Sequence, residues 1–211
     1  MARPSNTTER RRQIMNGLRL AMAEHGYDGA SIAHIAKAAG LTAGLVHYHF
    51  GNKQEILIAT LTDLVDEHRQ RVAHALERAG SSELAKLAAF IDVHLKLGAT
   101  ADATTLASWL VISGEAMRRD EVRAGFRAAI AETVERVEAL IQACVEADEC
   151  QCDDPQAAAA ALVAVIQGYF VLSVNARGYI PKGTAARSVK AMAEGLIKPV
   201  RPLTSSQDSA S

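Results

Sequence analysis

Aromatic residues are scarce in this 211-residue chain, with Phe, Trp and Tyr together making up 4% of it. Proline occurs five times, mostly toward the ends, and cysteine three times. Strands favour aromatic and β-branched residues, and no stretch alternates apolar with polar residues over a useful length, so sheet architectures are excluded. Three cysteines, an odd number, make no disulfide framework and fit a reducing compartment. Charge of one sign is lacking too. The formal net charge is −1, so the chain as a whole is not a basic nucleic-acid binder. The first 15 residues are polar and Arg-rich and carry no apolar signal-peptide core. No internal repeat is present.

What is abundant is alanine and aliphatic side chains, which suits an all-α protein of one or two domains with a sizeable core. The expected fold has about nine helices, in an N-terminal three-helix helix-turn-helix domain followed by a larger helical domain. Charge is unevenly spread. Residues 1–53 hold seven Lys/Arg (Arg3, Arg10, Arg11, Arg12, Arg19, Lys37, Lys53) against Glu9, Glu24 and Asp28, which is +4 and leaves −5 on the remainder. A basic N-terminal part on an acidic remainder points to a small polyanion-binding module.

Helical periodicity places a first helix from about Thr8 to His25, closed by Gly26. Ser31 caps a second, short helix whose stripe is Ile32, Ile35, Ala36 and Ala39, and Gly40 suits its left-handed C-terminal position. Thr42 caps a third that ends by Phe50 or Gly51. Two short helices joined across such a turn are a helix-turn-helix. Asn52-x-x-Glu55 reads as a capping box opening a fourth helix to about Ala79. Further helices are expected near 82–97, 103–117, 120–148, 155–177 and 184–197, the fourth of these opened by Asp154-Pro155. Residues 1–6 and the tail 199–211 read as disordered. The run 157–174 is almost wholly apolar. A membrane span and a helix buried between protein layers both fit its composition, and Gln167 and Gly168 within it favour the second.

The stretch 47–50, His-Tyr-His-Phe, sets rings beside polar groups. Val46 and Phe50 share one face of the third helix, which leaves Thr42, Ala43, Gly44 and His47 on the other. Small residues at the start of such a helix let its backbone approach a major groove, while hydroxyl and imidazole groups meet phosphates or base edges. Lys53, in the first turn of the next helix, adds a cation near helix-terminal amides. Leu45 either touches a thymine methyl or packs on the second helix, and His49 either meets DNA or packs on the first helix. As metal ligands His47 and His49 are poorly spaced, because residues two apart on a helix point about 200° apart.

Residues 8–58 resemble the N-terminal domain of the TetR family of bacterial transcriptional regulators. The likeness is carried by HGYDGASI and IAKAAGLTAGLVHYHFGNKQEIL. It implies a homodimer that binds a double-stranded, near-palindromic DNA operator through domain 1–53. Residues 54–198 would then bind a small-molecule effector and dimerise through 155–177 and 184–197. It also implies that Thr42, Tyr48, His49, Lys53 and Ser31 grip phosphates, that Ala43, Gly44 and His47 face base edges, and that Arg10, Arg11 and Arg12 strengthen binding. The family often has tyrosine where His47 stands and a polar residue where Ala43 stands, so direct readout here rests on few hydrogen bonds. Residues 104–180 resemble the choline-responsive branch of the family. That branch has aromatics beyond the single Trp109 found here, and cation recognition leans on aromatic cages, so choline is not carried over.

Ile91, His94, Trp109, Ser113, Met117, Phe126, Tyr169 and Phe170 are the candidate lining of a mainly apolar effector pocket, or else plain core. Cys144, Cys150 and Cys152 stand among acids, either as a metal or oxidant sensor or as a helix end and loop. A helical enzyme using His94 is the rival reading, but no nucleophile–base pair, phosphate loop or carboxylate pair supports it, and no cofactor is expected. A third reading is a DNA-binding dimer without a ligand.

Overall fold

The computed structural model describes residues 6–95, 103–176 and 178–203. Within them the chain forms nine helices and no strand: α1 (Asn6–Gly29), α2 (Ile32–Ala39), α3 (Ala43–His49), α4 (Lys53–Arg78), α5 (Glu83–Leu95), α6 (Ala103–Ala116), α7 (Asp120–Glu146), α8 (Pro155–Asn175) and α9 (Ala185–Ile197). They sort into two compact units. One joins residues 1–67 with 102–128, and the other joins 68–101 with 129–211. Helices α4 and α7 contribute to both.

The first unit is built on α1. Ile14, Leu18, Ala21 and Met22 recur at helical spacing on its buried face and meet Ile35, Val46, Phe50, Ile56, Leu57, Leu61 and Ile112. α1 runs past its expected end, because the kink at Gly26 (φ 67°) is followed by one further turn. Ser31 and Thr42 cap α2 and α3 as expected, accepting from the His34 and Leu45 amides at 3.2 and 3.3 Å. Gly40 takes the left-handed conformation (φ 66°) that the turn between them needs. At Asn52 the capping box is displaced. Its Oδ1 accepts from the Glu55 amide at 2.9 Å, but the Glu55 carboxylate reaches back to the Gly51 amide rather than to that of Asn52.

The second unit has its own core, with Leu87, Phe90, Ile91, Ile141, Leu162, Ile166 and Val189 at its centre. Asp154 caps α8 by accepting from the Ala157 amide at 2.9 Å. The disorder expected of the tail does not extend to residues 199–203. The Val200 amide donates to the Glu149 carbonyl at 3.0 Å, the Leu203 amide donates to Glu194 at 2.7 Å, and Leu203 is buried. An apolar side chain with a place in the core and two satisfied amides offsets the chain entropy that composition alone suggested would win. Residues 204–211 and 1–5 lie outside the described residues, and Asn6, expected with the disordered start, already belongs to α1.

Two buried polar groups in this unit are paired. Lys190 meets Asp92 at 2.8 Å. His68 Nε2 and His94 Nε2 are also 2.8 Å apart. Burial, with help from neighbouring positive charge, pushes the two imidazoles down to about 3 and about 4.

Two predictions follow from this packing. A Cβ on Gly17 would stand 2.6 Å from the Ile35 carbonyl oxygen and 2.9 Å from Ala39 Cβ, so Gly17→Ala must push α1 and α2 apart. Urea unfolding should show a loss of roughly 1–3 kcal/mol, the usual cost of overpacking. The histidine pair is uncharged when folded, whereas the unfolded chain takes up protons as pH falls below the ordinary value near 6.5. Stability is therefore full above that value and declines as pH falls toward the folded values. Between pH 7.5 and 5.5 the loss should be on the order of 2 kcal/mol, and the pair His68→Phe with His94→Leu should flatten that slope.

Candidate nucleic-acid interface

α3 has only seven residues, so its position is set by what it packs on rather than by its own stability. Val46 and Phe50 are buried against α1 and α2, and the opposite face is open. Thr42, Ala43, Gly44, His47 and Tyr48 are exposed, Tyr48 to 80%. A Cβ on Gly44 would meet nothing in the chain, so this face leaves room for another molecule to approach closely. Leu45 and His49 are half-buried, each between its two expected roles. The His49 ring sits edge-on to Tyr48, with centroids 5.0 Å apart.

Lys53, expected on phosphate, and Arg11, expected to strengthen DNA binding, are both engaged within the unit. Arg11 donates to the His49 carbonyl at 2.6 Å, and its guanidinium lies 3.9 Å from the centre of the Phe50 ring. It thus clamps the C-terminus of α3, where carbonyls lack helical partners. Lys53 donates to the Tyr27 carbonyl at 2.7 Å and stands 4.3 Å from the centre of the Tyr27 ring. Arg10 donates to Gln13 at 2.8 Å, while Arg12 and Ser31 are exposed.

Sequence reasoning missed a network in the same unit. Glu115, at the end of α6, is buried and pairs with both Arg118 and Arg119. Arg118 reaches Asp28 at 3.3 Å, just past the α1 kink, and Arg119 reaches Gln54 at 3.2 Å and lies 4.8 Å from the centre of the Tyr27 ring. Burial raises the Tyr27 phenol above its usual range, and nearby Arg119 opposes that rise. The signal available in the sequence was a glutamate three and four residues before two arginines.

The eight candidate pocket residues do not fall in one unit. Ile91, His94, Tyr169 and Phe170 belong to the second, while Trp109, Ser113, Met117 and Phe126 belong to the first. Trp109 and Phe126 stack at 4.8 Å against the first core. Met117, expected in the lining, is 77% exposed because α6 ends at Ala116 and the turn carries it outward. His94 is buried and bonded, and its partner His68 was missed. Burial pushes the Cys144 thiol up to about 12 and raises that of Cys150, which disfavours the reactive thiolate. Among the described residues no group of three or more His, Cys, Asp or Glu could hold a metal ion.

A polar, open-faced short helix on a fixed helix-turn-helix scaffold defines a DNA-binding module of the bacterial regulator type. Residues 14–60 match the family described as bacterial regulatory proteins, tetR family, and residues 83–198 match the BetI-type transcriptional repressor C-terminal family. The chain therefore belongs to the TetR family of transcriptional regulators, and its C-terminal part is of the BetI type. It is 32% identical over 114 residues to the HTH-type transcriptional regulator BetI of Agrobacterium fabrum, covering 54% of each chain. It is 34% identical over 77 residues to the HTH-type transcriptional repressor AcnR of Corynebacterium glutamicum, covering 36% of this chain and 39% of that one. The match thus spans about half the length of BetI and less of AcnR. A transcriptional regulator of Saccharomonospora viridis in complex with choline has the same fold at a TM-score of 0.81 and 20% identity, covering 90% of this chain and 98% of that one. AibR, in complex with isovaleryl coenzyme A and operator DNA, superposes at 0.68 and 19%, covering 90% and 99%. These relatives are regulators rather than enzymes.

Arg11 supplies the prediction here. Arg11→Lys keeps the charge but loses the planar stack and the fork. It should weaken DNA binding nearly as much as Arg11→Met, by roughly fivefold (about 1 kcal/mol), when measured by fluorescence anisotropy. Full rescue by lysine would mean that Arg11 acts as a point charge on phosphate.

Proposed function

We propose that this chain is a cytoplasmic repressor that binds a near-palindromic operator as a homodimer and is released by a small-molecule effector. The observation that carries the DNA-binding part is the exposed face of α3, with Thr42, Ala43, Gly44 and His47 presented to a groove and Tyr48 and His49 beside it for phosphates. Ser31 and Lys53 add phosphate contacts, Arg12 strengthens binding, and Leu45 is the apolar group for a thymine methyl. In this reading residues 1–53 bind DNA, and residues 54–198 hold the effector and the dimer contacts.

Homodimerisation is supported by α8. It is long and apolar enough to cross a membrane, with mean hydropathy 2.0, but its Ala158, Ala159, Leu162, Val163 and Ile166 face is packed in a protein core. Its other face is uncovered. Ala157, Ala160, Ala161, Ala164, Gly168, Val171 and Leu172 recur at helical spacing and are exposed. On α9, Met192, Gly195 and Leu196 do the same. Added Cβ atoms at Gly168 and Gly195 would meet nothing in the chain, so a second helix has room to approach closely. An open groove of about 630 Å³ continues this surface past Tyr169, Leu172, Tyr179 and Ile180. A partner copy covering both helices builds a four-helix interface, and its two-fold axis sets the spacing of the two α3 helices.

Release works through differential affinity: an effector lowers DNA binding only as far as it prefers the non-binding arrangement. The Glu115–Arg118–Arg119 network ties the end of α6 to Asp28, Tyr27 and Gln54, and so offers a route by which movement of α6 reaches the helix-turn-helix.

The test is fluorescence anisotropy on the DNA upstream of the chain's own gene, across a salt series and against a scrambled duplex, with random-sequence selection alongside. Salt-dependent preference for a palindrome is expected, and His47→Ala should relax base preference while Tyr48→Phe weakens all sequences alike. Selection that returns no palindrome would sink the reading. Leu172→Glu should turn a dimer into a monomer in sedimentation equilibrium. A variant that stays dimeric would move the interface elsewhere.

A further inference from the structure

The kink at Gly26 (φ 67°) separates Tyr27 from the main run of α1 and leaves it in the last turn of that helix. Its ring is buried, and two cations stand over it. Lys53 Nζ, in the first turn of α4, lies 4.3 Å from the ring centre. The guanidinium of Arg119, in the turn between α6 and α7, lies 4.8 Å from it. Like charges beside one ring repel each other, so each needs a further tether. Arg119 donates to Glu115 at 2.8 Å, whose side chain is 5% exposed, and to Gln54 at 3.2 Å. Lys53 donates to the Tyr27 carbonyl at 2.7 Å and to the Asp28 carbonyl at 3.4 Å. All of these groups lie in the first unit.

The partners of Lys53 orient its charge without cancelling it. An ammonium has three N–H donors. Two of them meet carbonyls at the end of α1, and Lys53 is only half-buried, which leaves the third for a group from outside. A carboxylate in place of those carbonyls would neutralise the charge that a phosphate needs. A lysine on a free stem spreads its ammonium over many rotamers, and a phosphate that captures it loses binding energy to that entropy. Here the ring and the two carbonyls fix the ammonium beforehand, and Arg119 fixes the ring.

We propose that Tyr27 is a positioning residue for DNA binding. Its ring and carbonyl hold the Lys53 ammonium ready for a backbone phosphate, and Arg119 braces the ring. This rests on the reading that Lys53 contacts a phosphate, which Lys53→Met tests by itself.

The test is fluorescence anisotropy of the full chain on the DNA returned by selection, across a salt series, with the binding-competent fraction of each variant fixed by stoichiometric titration. Lys53→Met should lower the slope of log affinity against log salt by about one and weaken all sequences alike. An unchanged slope would remove the phosphate contact and this proposal with it. Tyr27→Met keeps an unbranched apolar side chain in the buried space and loses the ring. It should weaken binding by roughly fivefold with Lys53 present. On the Lys53→Met background the same change should cost less than about twofold, the scatter of independent sites. Tyr27→Phe, which keeps the ring, should bind like the natural chain. A Tyr27 that only supports the core would cost the same on both backgrounds, and that result overturns the proposal while leaving the phosphate contact standing. So does a Tyr27→Met chain that binds as tightly as the natural one. Arg119→Met repeats the cycle at a side chain that is 32% exposed, without touching the core. Its cost should likewise vanish with Lys53, and equal losses on both backgrounds overturn the proposal.

Discussion

A helix of seven residues cannot hold itself in place, and the proposed recognition face of this protein is such a helix. Everything that fixes α3 is borrowed. Val46 and Phe50 sink into the α1–α2 core, Gly17 lets α1 and α2 come close enough to form that core, and Arg11 closes the far end by bonding the His49 carbonyl and stacking on Phe50. With its buried side fully engaged, α3 can spend its other side on small and polar residues. The chemistry that looked anomalous in the sequence, rings beside imidazoles beside glycine, fits one thin helix that serves a core on one side and, in the proposed function, a groove on the other.

The second unit obeys a different constraint. Its core is mainly aliphatic, and among the described residues the buried His94 and Lys190 are paired with His68 and Asp92. α8 is more apolar than one packed face requires, and its surplus lies on a surface of small residues. In the proposed homodimer a second copy covers that surface.

Much of the fold was legible in the sequence because local chemistry and tertiary packing agree. Ser31, Thr42 and Asp154 cap where their side chains predict, and Gly40 turns where a left-handed residue is needed. The buried stripes of α1 and α2 follow their spacing. What was illegible depended on contacts distant in sequence. Arg11 and Lys53 read as cations that serve DNA binding, and nothing local shows that the His49 and Tyr27 carbonyls also lie within their reach. Leu203 looked like tail because its burial depends on Glu194 and Glu149, which hold the strand of chain beneath it. His94 was recognised as a histidine on an apolar face, but its partner His68 sits on another helix 26 residues earlier. Met117 was expected within a helix near 103–117, and α6 ends one residue earlier, which leaves its side chain exposed.

The central claim is that two copies of α3, held at a fixed separation by a two-fold axis, read one operator. Hydroxyl-radical footprinting on the selected DNA tests this most directly. Two protected patches on one face of the duplex, centred about one helical turn apart (roughly 34–36 Å) or somewhat more and related by the operator's own symmetry, are the result this account predicts. A single patch, or protection spread evenly along the DNA, would contradict it.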